Sequence, residues 1–278
     1  MNKPSVILLG SKPGAVAALA VLVERGWDVQ YVVASPGDEP EWLEKPSLQE
    51  FAQAHNLNVL TAQSAIPDNT KVDFVISYMY RNLVVPRTLN MANEAPLNFH
   101  AGPLPQFGGW AFYNIAILEG SKEYGCTCHY MDQGFDTGPL LRVDRFTINP
   151  AVETAFSLER KAQAKMVKLF IDFCEMVATG EKLPLMPQNP VEMRYMKKDE
   201  FESLKEIPLN ASSEKIERYA RAFWYPPYGC AFMMINGKKI EIIPEIVKEE
   251  VAKSMHSSDL TDLLSVAGVT LINQRTGK

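Results

Sequence analysis

Hydrophobic positions in the first half of the chain fall into short, nearly continuous apolar runs, separated by stretches with helical spacing. Ser5-Val-Ile-Leu-Leu9 ends at Gly10, and Val16 to Arg25 then places apolar residues every three or four positions until Gly26. Val29 to Ala34 is a second run, Trp42 to His55 a helical segment, and Val59-Leu60 and Phe74 to Ser77 are further short strands. This strand, helix, strand order predicts an α/β doubly wound fold with a mostly parallel sheet. Such sheets bind ligands at the carboxyl ends of their strands. An apolar step from Ala95 to Leu97 leads to Asn98-Phe-His100 in that region. A helix from Ala111 to Glu119 and strands from Gly125 to Met131 and Pro139 to Phe146 follow. Pro150 suits the first turn of a long helix whose apolar positions Ala162, Met166, Leu169, Phe170, Phe173 and Val177 recur until Gly180.

The pattern changes after Gly180. Leu183-Pro-Leu-Met-Pro-Gln-Asn-Pro190 holds three prolines in eight residues, which predicts an extended connector. Beyond it, Ser213 suits the cap of a helix from Glu214 to Arg221. Gly229 to Ile235, Asn236-Gly237 and Lys238 to Ile243 read as a hairpin on a two-residue turn. The expected organisation is a large α/β domain over residues 1–185, then a linker and a small, partly β domain over 186–278.

Composition narrows the setting. With 278 residues, 46% hydrophobic and 22% charged, the chain has material for one large core and a smaller one. A formal charge of −5 argues against a broad nucleic-acid surface, which needs clustered Lys and Arg. The segment from Met186 onward carries 13 basic and 13 acidic residues, so the acidity resides in the first part. No signal-peptide pattern opens the chain and no apolar run approaches the ~18 residues of a membrane span, so a cytoplasmic protein without membrane contact is expected. The four cysteines form no CxxC pair, and Cys126-Thr-Cys128 reads as buried thiols on one face of a strand.

Several chemical motifs are absent. Gly10-Ser-Lys-Pro-Gly14 matches neither the GxGxxG dinucleotide spacing nor the GK[ST] ending of a phosphate loop, although Lys12 and the helix start could meet an anion. No GxSxG nucleophile elbow occurs. His55, His129 and His256 have no second histidine at ligand spacing and read as surface or satisfied core residues, so no metal is expected.

The strongest chemistry lies in Leu97-Asn-Phe-His-Ala-Gly-Pro-Leu-Pro105 and Met131-Asp-Gln-Gly-Phe-Asp-Thr-Gly138. In an extended run the Asn98 amide and the His100 imidazole leave on one face. The glycines around Asp136 suit a tight loop that carries its carboxylate towards them. These runs, with Leu104-Pro105, Phe107, Gly109 and Gly134-Phe-Asp136-Thr-Gly-Pro-Leu-Leu141, closely resemble the folate-dependent formyltransferases. The resemblance covers roughly Ser5 to Gly180. It implies a Rossmann-like catalytic domain with helices on both faces of its sheet, N10-formyltetrahydrofolate as co-substrate, and Asn98, His100 and Asp136 as the catalytic set. Arg221-Ala-Phe-Trp-Tyr-Pro-Pro-Tyr-Gly229 looks like the start of the second domain in the methionyl-tRNA and sugar formyltransferase branch. Gly102-Pro-Leu-Pro105 stands where the family commonly has Ser-Leu-Leu-Pro, and Gly108 where a basic residue often follows the aromatic. With the charge-balanced second segment, these departures favour the nucleotide-sugar N-formyltransferases, which act on dTDP-, UDP- or GDP-linked amino sugars destined for surface polysaccharide such as lipopolysaccharide O-antigen.

Formyl transfer to an amine passes through a tetrahedral intermediate, so a site must stabilise an oxyanion and take a proton from nitrogen. Asn98 and His100 suit the oxyanion, where one well-aimed donor contributes ~3 kcal/mol. His100, of a residue type that titrates near ~6.5, or Asp136 acting through water, suits the proton, and either is open at this level. Resemblance places the folate along Ser77 to Leu83 and Met131 to Asp136, with Met79, Tyr80, Leu83, Leu104, Met131, Gly134 and Asp136 as contacts. Lys12 and Arg81 are candidates for a pyrophosphate, and Trp110, Trp224, Tyr225 and Tyr228 for stacking on a base. A methionyl-tRNA formyltransferase-like or formyltetrahydrofolate-hydrolysing enzyme is the alternative reading. A non-catalytic nucleotide-sugar or folate binder is a second one. The acceptor and oligomeric state are left open, a homodimer being compatible.

Overall fold

The structure is a computed structural model that describes residues 3–34, 46–249 and 251–252. It opens with β1 (Ser5–Gly10), α1 (Lys12–Glu24), β2 (Asp28–Val33), α2 (Leu48–Ala54), β3 (Val59–Leu60), β4 (Val72–Tyr78) and α3 (Pro86–Leu89). Next come β5 (Ala92–His100), β6 (Gly108–Gly109), α4 (Phe112–Leu118), β7 (Glu123–Tyr130), β8 (Leu140–Thr147) and α5 (Ala155–Thr179). The remaining elements are β9 (Tyr195–Met196), α6 (Lys198–Ser203), α7 (Ser213–Ala222), β10 (Phe232–Ile235) and β11 (Lys238–Glu241). The first part of the predicted Trp42 to His55 helix, through position 45, and His256 lie outside the described residues.

Seven strands form one sheet in the order β3-β2-β1-β4-β5-β7-β8. Pairing is parallel from β3 through β5, and antiparallel for β5 with β7 and β7 with β8. The apolar runs have a direct cause in this sheet. Along β1, Val6 and Leu8 enter one core with α1 and α5, while Ile7 and Leu9 enter another with Val33, Val75, Ile66 and Leu89. Both faces of the strand are thereby removed from water, which stabilises by roughly 25 cal/mol per Å² of apolar surface. The helical layers are unequal. Helices α1 and α5 cover the first face, and the short α3 with loop residues Val84 and Met91 covers the second.

Two predicted helix starts are displaced. The long helix begins at Ala155, not in a turn containing Pro150, because Thr154 and Ser157 exchange side-chain and backbone hydrogen bonds at 3.0 Å in a capping box. Its other end is at Gly180, whose φ of 69° is the left-handed conformation that glycine adopts without penalty. Ser212, one residue before Ser213, caps α7 by accepting from the Lys215 N–H at 3.2 Å. In the hairpin β10–β11, Asn236 and Gly237 both take positive φ, 50° and 76°, as a two-residue turn of this hand requires.

The connector is extended and joins the sheet edge, with Met186 and Leu140 exchanging backbone hydrogen bonds at 2.7 and 2.8 Å. Past it, Ile207, Ala222, Phe223 and Ala231 are buried in the same hydrophobic cluster as the helical face of the sheet. The Asn114 amide of α4 donates to the Ala222 carbonyl of α7 at 2.7 Å. Among the described residues no helix is long and apolar enough to cross a membrane.

Candidate active site

The winding of the sheet reverses beside β1: β2 and β3 lie on one side, β4 and β5 on the other. A cavity of about 520 Å³ lies at the carboxyl ends of β1, β4 and β5, the location expected of a ligand site in such a sheet. Six residues other than glycine have positive φ among the described residues, and four of them, Lys12, Met79, Ala111 and Asp136, line this cavity. Each such conformation costs on the order of 1–3 kcal/mol, and strain of this kind concentrates where function fixes the backbone.

Strand register assembles the polar corner. Asn98 of β5 stands opposite His129 of β7, and His100 opposite Thr127. The Asn98 Nδ2 lies 3.0 Å from His129 Nε2, and His129 Nδ1 lies 2.8 Å from the Tyr130 carbonyl. A carbonyl only accepts, so His129 carries its proton on Nδ1 and Nε2 accepts from the amide. By the same reasoning His100 donates from Nε2 to the Phe107 carbonyl at 2.7 Å, leaving Nδ1 towards Asp136 at 3.7 Å. Asp136 Oδ1 is 3.6 Å from His129 Nε2, and Asp136 Oδ2 accepts from the Gly109 N–H at 3.0 Å. The carboxylate is thus held between two imidazoles.

The loop that delivers Asp136 is built around its glycines. Asp132 Oδ1 accepts from the Gly134 N–H at 2.9 Å and from Thr137 Oγ1 at 2.5 Å. A Cβ on Gly138 would lie 1.9 Å from the Tyr130 carbonyl oxygen, so only glycine closes this turn. Gln188 of the connector donates from Nε2 to the carbonyls of Asp136 and Gly138, both at 2.7 Å. Burial alone would raise the Asp136 carboxyl. Positive charge on the His100 and His129 imidazoles in their protonated forms, His100 first, and the Gly109 N–H outweigh it and hold the group well below the usual carboxylate range.

Of the expected contacts, Met79, Tyr80, Leu83, Met131 and Gly134 line the cavity together with Asn98, His100 and Asp136. Lys12, Arg81, Trp110, Tyr225 and Tyr228 also line it. Leu104 does not: it is buried beneath the loop, which its N–H ties to Thr127 Oγ1 at 3.0 Å. Trp224 is likewise absent from the cavity, its carbonyl accepting from the Phe156 N–H at the start of α5. Lys12 reaches the cavity with its charge already met by Glu159 at 2.5 Å. His129, expected to be surface or satisfied core, is 2% exposed and stands in the polar corner. Its position opposite Asn98 depends on antiparallel register, for which a single histidine carries no local signal.

Residues past the connector complete the rim. The Gly108 N–H donates to the Arg194 carbonyl at 3.1 Å and the Trp110 N–H to the Met196 carbonyl at 3.0 Å, joining β6 to β9 in parallel. Trp110, Tyr195 and Tyr228 are 54%, 44% and 48% exposed around the opening. The Lys198 ammonium stands 5.6 Å from the centre of the Trp110 ring.

A doubly wound sheet whose strand ends present an amide, two imidazoles and a charged carboxylate in a preorganised cavity defines a Rossmann-like enzyme equipped for acid–base group transfer. Residues 38–173 match the formyl transferase family profile. The methionyl-tRNA formyltransferase of Pseudoalteromonas translucida is 30% identical over 263 residues, which cover 90% of this chain and 80% of that protein. The GDP-perosamine N-formyltransferase of Brucella melitensis is 30% identical over 178 residues, covering 64% of this chain and 66% of that one. Among solved structures, the N-formyltransferase of Helicobacter canadensis, in complex with folinic acid and dTDP-3-aminofucose, superposes with a TM-score of 0.71 at 23% identity, covering 84% of this chain and 85% of that one. The chain belongs to the formyl transferase family and is a folate-dependent formyltransferase.

Proposed function

We propose that this enzyme transfers the formyl group of N10-formyltetrahydrofolate to the amino group of a nucleotide-linked amino sugar. The carrying observation is the rim: three half-exposed aromatic rings, Trp110, Tyr195 and Tyr228, stand at one cavity mouth with Arg81 and Lys198 close by. Flat apolar faces with a few local cations suit a base and a diphosphate, and a chain of net charge −5 suits a small anion better than an RNA. The solved relative in complex with dTDP-3-aminofucose lends further support.

Other lining residues suit the folate. Tyr80, Val84 and Met131 pack into one apolar cluster beside the Met131 to Asp136 loop, which offers a planar ring both hydrophobic contact and backbone groups. Bound there, the co-substrate supplies an activated formyl carbon and a nitrogen leaving group. The acceptor amine adds to that carbon, the bond to N10 breaks, and one proton passes from the amine to N10. Asn98, its amide oriented by His129, directs its second N–H at the developing oxyanion. His100 Nδ1 takes the amine proton. Asp136 is too weak a base to keep it and instead stabilises the resulting imidazolium. The Phe107 carbonyl fixes which nitrogen of His100 is basic.

The test is tetrahydrofolate release with dTDP-, UDP- and GDP-linked amino sugars beside charged initiator tRNA and water alone. Turnover with one nucleotide class is expected. Turnover confined to tRNA, the reading favoured by a methionyl-tRNA relative that covers 90% of the chain, would replace the proposal, and release with water alone would point to hydrolysis.

A further inference from the structure

Beside the acceptor mouth lies a buried ionic cluster that the reaction itself does not use. Glu159, on α5, does not line the cavity and is almost fully buried. Its Oε1 accepts from Lys12 Nζ at 2.5 Å and from Gln163 Nε2 at 3.0 Å, and its Oε2 accepts from the Tyr225 hydroxyl. Lys12 Nζ donates in addition to the Tyr225 hydroxyl oxygen at 3.0 Å. The cluster joins the start of α1, the body of α5 and the segment after α7. Tyr225 in turn stacks on Tyr228 with ring centres 5.5 Å apart and planes at 27°. Burial, then the charge of Glu159, raise the Tyr225 phenol, which therefore stays a donor.

Buried ion pairs contribute little net stability compared with apolar residues of the same volume, so a stabilising role alone gives this cluster no advantage. Fixing geometry does. Lys12 adopts a φ of 70° to enter it, and the segment so anchored carries the rim residue Tyr228.

We propose that Glu159 is a positioning residue for acceptor recognition, holding Tyr225 and through it Tyr228 as the rigid wall against which the nucleotide part of the acceptor stacks. The inference rests on the nucleotide-sugar reading above. In it the charge of Lys12 serves the wall, and Arg81 and Lys198 are the cations offered to the acceptor phosphates.

Calorimetric titration of the purified full chain with dTDP, UDP and GDP, and separately with folinic acid, tests both levels. The unaltered protein is expected to bind at least one nucleoside diphosphate. Glu159→Gln and Tyr225→Phe should each weaken it about 5- to 20-fold while folinic acid affinity changes less than about 2-fold. In turnover the same variants should raise the acceptor KM and leave kcat and the folate KM near their starting values. Tyr225→Phe removes a single oxygen, and a thermal melt reports whether each variant folds. If Glu159→Gln does not fold, Tyr225→Phe decides alone. Unchanged diphosphate affinity, or equal losses for both ligands, overturns the positioning role and leaves the nucleotide-sugar reading standing. Absence of any diphosphate binding by the unaltered protein overturns that reading and the positioning role with it.

Discussion

The two walls of the cavity are built on different terms. In the reacting corner Asn98, His100 and His129 stand on paired strands, His100 and His129 at 6% and 2% exposure, and His100, His129 and Asp136 each bond a backbone group. The acceptor rim stands on two-residue strands, a six-residue helix and an aromatic segment, with its rings about half in water. Chemistry needs reacting atoms held within a fraction of an ångström, whereas selection of the acceptor needs a complementary face. Changes in the corner should therefore alter turnover, and changes at the rim should alter acceptor affinity.

The largest effects belong to His100 and Asp136. His100→Asn should lower kcat about 100- to 10,000-fold with modest change in folinic acid affinity, because proton transfer is lost while the cavity walls remain. Asp136→Asn should fall in the same range. It also carries a linkage signature. A carboxyl held below its ordinary pKa contributes stability that is fully present above the unfolded value of ~3.9 and disappears as pH falls through the lowered folded value. The difference in melting temperature between the protein and Asp136→Asn should accordingly be present at about pH 5 and shrink on acidification below about pH 4. A difference that grows with acid would show that the two imidazoles do not hold this carboxylate.

Two intermediate effects examine how the corner is aimed. His129→Leu should cost roughly 10- to 100-fold in kcat, since the Asn98 amide loses its orienting acceptor and the Tyr130 carbonyl its donor. His129→Gln, which restores an acceptor, should recover part of that loss, and equal loss in both variants would sink the orienting role. At Gly102 an added Cβ would stand 2.8 Å from both His100 Nε2 and the Phe107 carbonyl oxygen. Gly102→Ala should therefore displace the ring and lower kcat by about 10-fold, with the acceptor KM little changed. Should that variant instead raise the acceptor KM at unchanged kcat, the separation of the two walls would fail at this position.

Legibility in the sequence follows the same division. Asn98, His100 and Asp136 lie in short runs whose alternation and glycines encode their own local geometry, and the apolar runs announce the sheet. His129 was hidden because its role arises from the register between β5 and β7. Lys12 looked like an anion ligand because its partner Glu159 is 147 residues away in sequence. Leu104 and Trp224 have the composition of wall residues, but hydrogen bonds of their own or neighbouring backbone place them elsewhere. Pro150 suited a helix start, and the reciprocal cap of Thr154 and Ser157 placed it five residues later. Trp110 and Tyr228 of the rim were legible as stacking candidates, but the pairing of β6 with β9 that brings Tyr195 beside them left no local trace, since two glycines and a Tyr-Met pair have no strand pattern.

The smallest expected effect tests the rim most cleanly. The Trp110 backbone is held by its N–H to the Met196 carbonyl, and the neighbouring Gly109 N–H holds Asp136, so neither contact involves the indole. Trp110→Ala therefore removes a 54% exposed ring without disturbing the loop beneath it. One stacked base is typically held by ~1–3 kcal/mol, and the low end applies here because one side of the ring is open to water. The acceptor KM should rise about 5- to 10-fold, with kcat at saturation and the folate KM within about 2-fold. Lys198→Ala, which leaves the ring in place and removes the cation above it, should give a smaller rise that fades with added salt, because an exposed charge is screened within about 10 Å at 0.1 M. A fall in kcat for Trp110→Ala equal to that of Gly102→Ala would mean that the rim sets the aim of the reacting corner, and the two walls would then have to be treated as one.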